Sequence, residues 1–344
     1  MSMRGIQLIR LIKISVPYLF SVSLAFGIAG LILYLGGYDV VSSYKTILTA
    51  SFWNLNSFFL TLTKFSTLLM MSLAFSIPYI SRKFNIGVEG QYLMGALGAA
   101  LVGLAVSTPA GVHVIISLIV GIAFGSLWAS VPAFLMARYN VNEVISTIMM
   151  NFIARYSVMV FAMSFWRDVT SGHPMTIPIS DTATLPLLNS SPPLSSGIIF
   201  SLTTAALLYF TVALTVIGYE LRATGTNPRA AEVFGVNTKL LMPLSLIIGG
   251  GIAGLGGALD VTGYYHRLID GMQSNYPSLG ILIALLSKGK ITFIVPVAFF
   301  ISVIDVGTNA LQRIQRVPIE LVLILEGLLL VFILVSESLR WWRK

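Results

Sequence analysis

The chain has no cysteine and only three histidines in its 344 residues. Disulfides, thiolate metal sites and cysteine nucleophiles are therefore excluded. His113, His173 and His266 are widely spaced and form no metal-ligand pattern. Charge is also scarce. Charged residues make up 10% of the sequence, against about 25% in an ordinary soluble domain. A chain so poor in charge cannot cover a water-facing surface without leaving apolar patches far beyond what soluble proteins tolerate. Catalytic signatures are missing as well. No stretch reads G-x-x-x-x-G-K-[ST], so no Walker loop holds ATP phosphates, and there is no H-E-x-x-H, G-x-S-x-G or Rossmann fingerprint.

What remains is grease. Hydrophobic residues make up 56% of the chain, which predicts an all-α polytopic membrane protein. A span needs about 20 apolar residues. On that measure about ten spans are expected, near 16–35, 58–80, 87–106, 113–137, 141–165, 197–219, 243–262, 277–287, 291–311 and 319–335. The eighth is too short to cross as a straight helix. Either earlier residues extend it, or it re-enters beside protein or a water-filled cavity. Residues 1–344 then form one transmembrane domain, with 166–196 as an external loop and 220–242 as a cytoplasmic loop holding a short helix.

The net charge of +8 fits cytoplasmic loops rich in Lys and Arg rather than nucleic-acid binding. With the N-terminus inside, Arg4, Arg10, Lys13, Arg82, Lys83, Arg138, Arg222, Arg229, Lys239, Lys288, Lys290, Arg340, Arg343 and Lys344 are cytoplasmic. Only Lys45, Arg167, Arg267, Arg313 and Arg316 lie outside. This asymmetry places both termini in the cytoplasm. The apolar run after the first basic residues is too long for a signal-peptide core and reads as an uncleaved first span. The Trp341-Trp342 tail reads as an interfacial anchor in membrane lipid.

Polar residues inside spans are costly and face protein or water. Glu143, Thr147, Asn151 and Arg155 recur every four residues and share one helical face. That stripe either lines a hydrophilic path or packs against protein, with Arg155 paired to a carboxylate and Asn151 as interhelical glue. Ser302, Asp305, Asn309 and Gln312 repeat the pattern, and Lys64, Asp260 and Glu326 add isolated charges. Lys64 or Arg155 is a candidate ion-pair partner for Asp305 or Glu326. The glycine-rich run Gly249, Gly250, Gly251, Gly254, Gly256 and Gly257 allows close helix approach, within the subunit or across a dimer seam.

Two segments carry a family likeness. Phe84-Asn85-Ile86-Gly87-Val88-Glu89-Gly90-Gln91 opens the third span. Gly225-Thr226-Asn227-Pro228-Arg229-Ala230-Ala231-Glu232-Val233-Phe234-Gly235-Val236 lies in the large cytoplasmic loop. Together they resemble the permease subunits of ABC importers of the branched-chain amino acid/ribose superfamily, and most nearly the branch that imports nucleosides with basic membrane lipoproteins. The loop also makes sense unaided: Asn227-Pro228 can start a short helix and Gly235 can end it.

The resemblance implies a multi-pass bacterial plasma-membrane permease that catalyses no covalent chemistry. It implies a coupling role toward a cytoplasmic ABC ATPase for Asn227, Pro228, Arg229, Ala230, Ala231 and Gly235. It implies a second permease subunit in a heterodimer and an extracytoplasmic substrate-binding lipoprotein. ATP and magnesium belong to the partner ATPase, and this chain binds no cofactor. Glu89 and Gln91 then lie near the translocation path, joined by the polar-stripe residues Thr147, Asn151, Asp305 and Asn309. Ribose, other simple sugars or branched-chain amino acids would suit the same subunit type. An ion-driven secondary transporter is the rival class. It calls for midplane sites, often in inverted repeats, and the two halves show no convincing repeat.

Overall fold

A computed structural model describes residues 23–331 except 25, 53, 165, 326, 329 and 330. Most of the described chain is helical: α1 (Phe26–Leu35), then α2 (Val40–Phe52), α3 (Leu55–Ile80), α4 (Val88–Ala105), α5 (Val112–Tyr139) and α6 (Glu143–Ala162). There follow a 3-10 turn (Asp181–Ala183), strands β1 (Leu187–Ser190) and β2 (Pro193–Ser195), then α7 (Gly197–Leu214), α8 (Val216–Thr226) and α9 (Pro228–Val233). The remainder is α10 (Thr238–Asp260), a π-helical turn (Val261–Tyr265), α11 (Tyr276–Leu286) and α12 (Ile291–Gln315).

Among the described residues, seven helices are long and apolar enough to cross a membrane: α3, α4, α5, α6, α7, α10 with its π turn, and α12. The three other expected spans differ for separate reasons. Of the first, only 26–35 is fully apolar helix within the described residues. The last is helical at every described position from 319 to 331, beyond which it leaves the described residues. The eighth is α11, which stays at 11 residues because 271–275 are turns. At 1.5 Å per residue it is about 16 Å long.

Three elements differ from the sequence expectation. Residues 40–52 form α2, whose Ser42, Ser43, Lys45, Thr46 and Thr49 break up the apolar run that would have announced it. The sixth span stops at Thr215, whose hydroxyl accepts from Gly218 N and starts α8 as a separate helix. The segment 166–196 carries the small β1–β2 hairpin, paired antiparallel, in an otherwise helical chain.

The chain divides into two compact units. One contains the described residues up to Thr61 and from Phe300 onward; the other is Leu62–Phe299. The first unit is centred on Ala29, Leu33, Ile47, Leu311, Val317, Val322 and Leu325. The second is built on α4, α5 and α10 packed against one another. Glycines let these backbones nearly touch. A Cβ on Gly254 would come within 2.9 Å of Gly125 Cα, and one on Gly250 within 2.7 Å of Gly125 O. The glycine run of α10 therefore packs inside this chain, against α4 and α5.

Within the same unit, 166–196 is laid over the stretch after the π turn. Thr176 N donates to Leu268 O at 3.0 Å, and Ile179 N to His266 O at 2.9 Å. Arg267 pairs with Asp168 at 3.0 Å. His113, fully buried at the start of α5, donates from Nε2 to Val102 O at 3.1 Å. Its Nδ1 meets the Thr182 hydroxyl at 2.8 Å.

Candidate functional site

The turn between α3 and α4 is irregular backbone running alongside α6. Non-helical backbone at membrane depth needs protein or water to satisfy it. The α6 stripe supplies the protein. Lys83 pairs with Glu143 at 3.5 Å. The Thr147 side chain lies where a Cβ on Gly87 would come within 3.0 Å of it. Asn151 donates from Nδ2 to Ile86 O at 2.9 Å and accepts from Gly90 N at 2.8 Å. Arg155 meets Glu89 at 2.9 Å. Each step of four along α6 thus meets the next part of the segment 83–90.

Most of this stripe is spent on structure. The Thr147 hydroxyl returns to Glu143 O at 2.6 Å. Gln91 is buried and exchanges two hydrogen bonds with Asn85, at 2.8 and 2.9 Å. The last pair is the more open of the two ion pairs. The Arg155 side chain is 50% exposed and that of Glu89 is 23% exposed. Arg155 lies twelve residues beyond Glu143, about 18 Å along the helix. Glu89 sits in the first turn of α4, where the helix dipole favours an anion.

A second irregular stretch, 266–275, reaches the same point. Gln273 is buried and donates from Nε2 to Glu89 Oε1 at 3.3 Å. Three residues on, the Tyr276 hydroxyl accepts from Lys64 Nζ, and that ammonium lies 4.5 Å from the Tyr276 ring centre. Thr67, on the same face of α3, donates to both oxygens of the buried Asp260 at 2.8 and 3.0 Å. Tyr92, one turn beyond Glu89, donates to Asp260 Oδ2 at 2.7 Å. Thr63, Ser66, Ser195 and Tyr264 line a narrow cleft beside Asp260. The polar residues thus run from Arg155 and Glu89 through Gln273, Tyr276 and Lys64 to Asp260. Carboxylates and cations alternate with hydroxyl, carboxamide and aromatic groups. Such groups can donate to and accept from polar, uncharged molecules.

The sequence offered Lys64 and Arg155 as partners for Asp305 or Glu326. Arg155 takes Glu89, and Lys64 takes the Tyr276 hydroxyl. Glu326 lies outside the described residues. Asp305 and Asn309 belong to the first unit, where Asn309 Nδ2 donates to Asp305 O at 2.7 Å and to its Oδ1 at 3.0 Å. Thr67, Tyr92, Gln273 and Tyr276 were not singled out from the sequence. A partial signal exists, because Thr67 and Tyr92 each stand three residues after a charged one, on one helical face. Gln273 and Tyr276 carry no such mark.

The loop motif forms α9. Asn227 Oδ1 accepts from Ala230 N at 3.1 Å, Pro228 occupies the first turn, and Gly235 takes a φ of +88° just after it. Ala231 is buried with Val236 and Leu241 against Ala223. Arg229 faces solvent. Val233 and Phe234 stand out at 84% and 86% exposure. At the base of this loop, Gly225 packs directly on the Ile80 carbonyl, where the α3–α4 turn begins.

Known proteins resemble this chain over most of its length. The family described as branched-chain amino acid transport system permease component matches residues 57–334. The guanosine ABC transporter permease protein of Bacillus subtilis is 31% identical over 96% of this chain and 96% of its own length. The nucleoside ABC transporter permease protein of Lactococcus lactis is 26% identical over 94% and 91%. The glucose ABC transporter permease protein of Haloferax volcanii is 28% identical over 80% and 75%.

Proposed function

Because the chain belongs to the family of permease components of branched-chain amino acid transport systems, we propose that it imports nucleosides as a membrane-spanning subunit of an ATP-driven transporter. One observation carries the cargo assignment: two relatives aligned over more than nine-tenths of this chain are a guanosine and a nucleoside permease. The polar, charge-balanced set around Glu89 and Tyr276 is compatible with a neutral cargo.

ABC permeases act with an ATPase and a binding protein. Here the path is completed by a second, different permease subunit, and a lipoprotein delivers the cargo. The ATPase, which holds ATP and magnesium, docks at α9 through Asn227, Pro228, Arg229, Ala230, Ala231 and Gly235. ATP binding moves α9, and the path switches its open side. The whole chain serves as one permease domain in the bacterial plasma membrane, with ten spans and both termini inside. The charge asymmetry of the loops supports that orientation. Glu89 borders the path. Gln91, Thr147 and Asn151 shape its wall by holding the α3–α4 turn.

The Haloferax relative favours a second reading, in which the cargo is a simple sugar. Uptake into proteoliposomes holding the complete transporter separates the two. Labelled guanosine should accumulate with ATP and compete with inosine but not with glucose. Uptake of glucose alone would establish the sugar reading. Uptake by this chain under an ion gradient, without an ATPase, would refute the ABC assignment altogether.

A further inference from the structure

We propose that Glu89 and Gln273, with Arg155 as counter-ion, form a half-site for a vicinal diol on the transported molecule. The inference rests on the nucleoside reading and narrows it to the ribose 2′- and 3′-hydroxyls. Three observations lead there. Arg155 is half exposed about 18 Å along a membrane helix. A guanidinium at that depth is not left facing lipid, so this edge of the unit faces water or protein. Glu89 Oε1 receives both Arg155 and Gln273, while its Oε2 has no hydrogen-bond partner among the described residues. Gln273 is only 3% exposed. Its Nε2 is turned to the carboxylate, and its Oε1 is buried with no hydrogen-bond partner among the described residues. The carboxylate fixes that amide orientation, because the reverse would set two oxygens against each other.

Glu89 Oε2 is thus an open acceptor, and Gln273 Oε1, on the group bonded to it, is a second that is covered in this state. The site's charge is balanced by the Glu89–Arg155 pair, so it favours neither a cation nor an anion. Two adjacent hydroxyls supply the two missing donors. A carboxylate that accepts from a ribose hydroxyl is the device used in dinucleotide-binding folds. An orphan buried acceptor carries an uncompensated desolvation cost. That cost is removed when 266–275 shifts and a hydroxyl reaches Gln273. The other wall of the site comes from the second permease subunit.

The test compares guanosine with 2′,3′-dideoxyguanosine as substrates of the reconstituted complete transporter. Wild type and Glu89→Gln share the same lipoprotein, so any change in the ratio of the two rates belongs to this chain. In the variant, guanosine uptake should fall about tenfold while dideoxyguanosine uptake changes less than twofold. Equal losses for both substrates, or no loss, overturn the diol site and leave the nucleoside reading standing. A wild type that carries no guanosine overturns both. Gel filtration of the complex checks assembly. If Glu89→Gln does not assemble, Gln273→Met decides by the same ratio, with a fall of about threefold expected and an unchanged ratio refuting the site.

Discussion

Replacing Asn151 with Leu separates the two meanings that its stripe had in the sequence. The side chain bonds Ile86 O at 2.9 Å and Gly90 N at 2.8 Å. Ile86 lies in the non-helical entry into α4 and Gly90 in its first turn, and neither backbone group has a backbone partner there. Leucine keeps the volume and strands a carbonyl and an N–H. Each stranded buried group costs about 1–3 kcal/mol, although polar contacts inside membrane proteins average nearer about 0.6 kcal/mol. The expected loss is about 2 kcal/mol, close to a thirtyfold change in the unfolding equilibrium. Reversible unfolding in mixed micelles, followed by tryptophan fluorescence, measures it. Transport per folded molecule should fall much less than stability does. A variant within about 0.5 kcal/mol of wild type that nevertheless transports poorly would refute the argument, because Asn151 would then act on the cargo and not on the turn.

Other outcomes follow from the same geometry. Gly254→Val forces a branched side chain between the α5 and α10 backbones, and overpacking of this kind costs about 1–3 kcal/mol or more; a fall in folded yield and melting temperature in detergent checks it. Phe234→Ser should leave folding unchanged, since the ring is solvent-facing, and weaken ATPase capture about tenfold in a pull-down titration, as loss of an aromatic anchor does. Arg229→Glu should leave insertion intact and uncouple ATP hydrolysis from uptake, measured together in one proteoliposome preparation. Asp168 has its carboxyl held below the usual range by the Thr170 hydroxyl and N–H, with Arg267 adding to the effect. A depressed carboxylate contributes stability above its unfolded value and loses it as pH falls through its folded value. The contact to 266–270 should therefore loosen only below about pH 4, seen as faster hydrogen exchange at Thr176 and Ile179, and Asp168→Asn should remove that pH dependence.

Periodicity carried the long helices, because crossing a bilayer demands runs that no other element needs. It also carried the α6 stripe and α9, whose Asn-Pro start and glycine stop are local chemistry. It failed where structure is set by neighbours. The start of α8 at Thr215 has no Gly or Pro beside it, and only the side-chain cap marks the break. The β1–β2 hairpin hides among prolines. The convergence of Gln273, Tyr276 and Lys64 joins residues more than two hundred positions apart, which no spacing rule connects.

The α6 stripe also shows why a polar face in a membrane helix is weak evidence for a path. Irregular backbone within the bilayer needs partners as much as cargo does, and side-chain amides and hydroxyls serve both. The discriminating quantity is what remains after the backbone is satisfied. Asn151, Thr147 and Gln91 have their hydrogen bonds met inside the chain. Glu89 keeps an oxygen, Gln273 keeps a carbonyl, and Arg155 keeps half its surface open. These groups that folding leaves unfinished sit where two breaks in helical backbone, 83–87 and 266–275, come together.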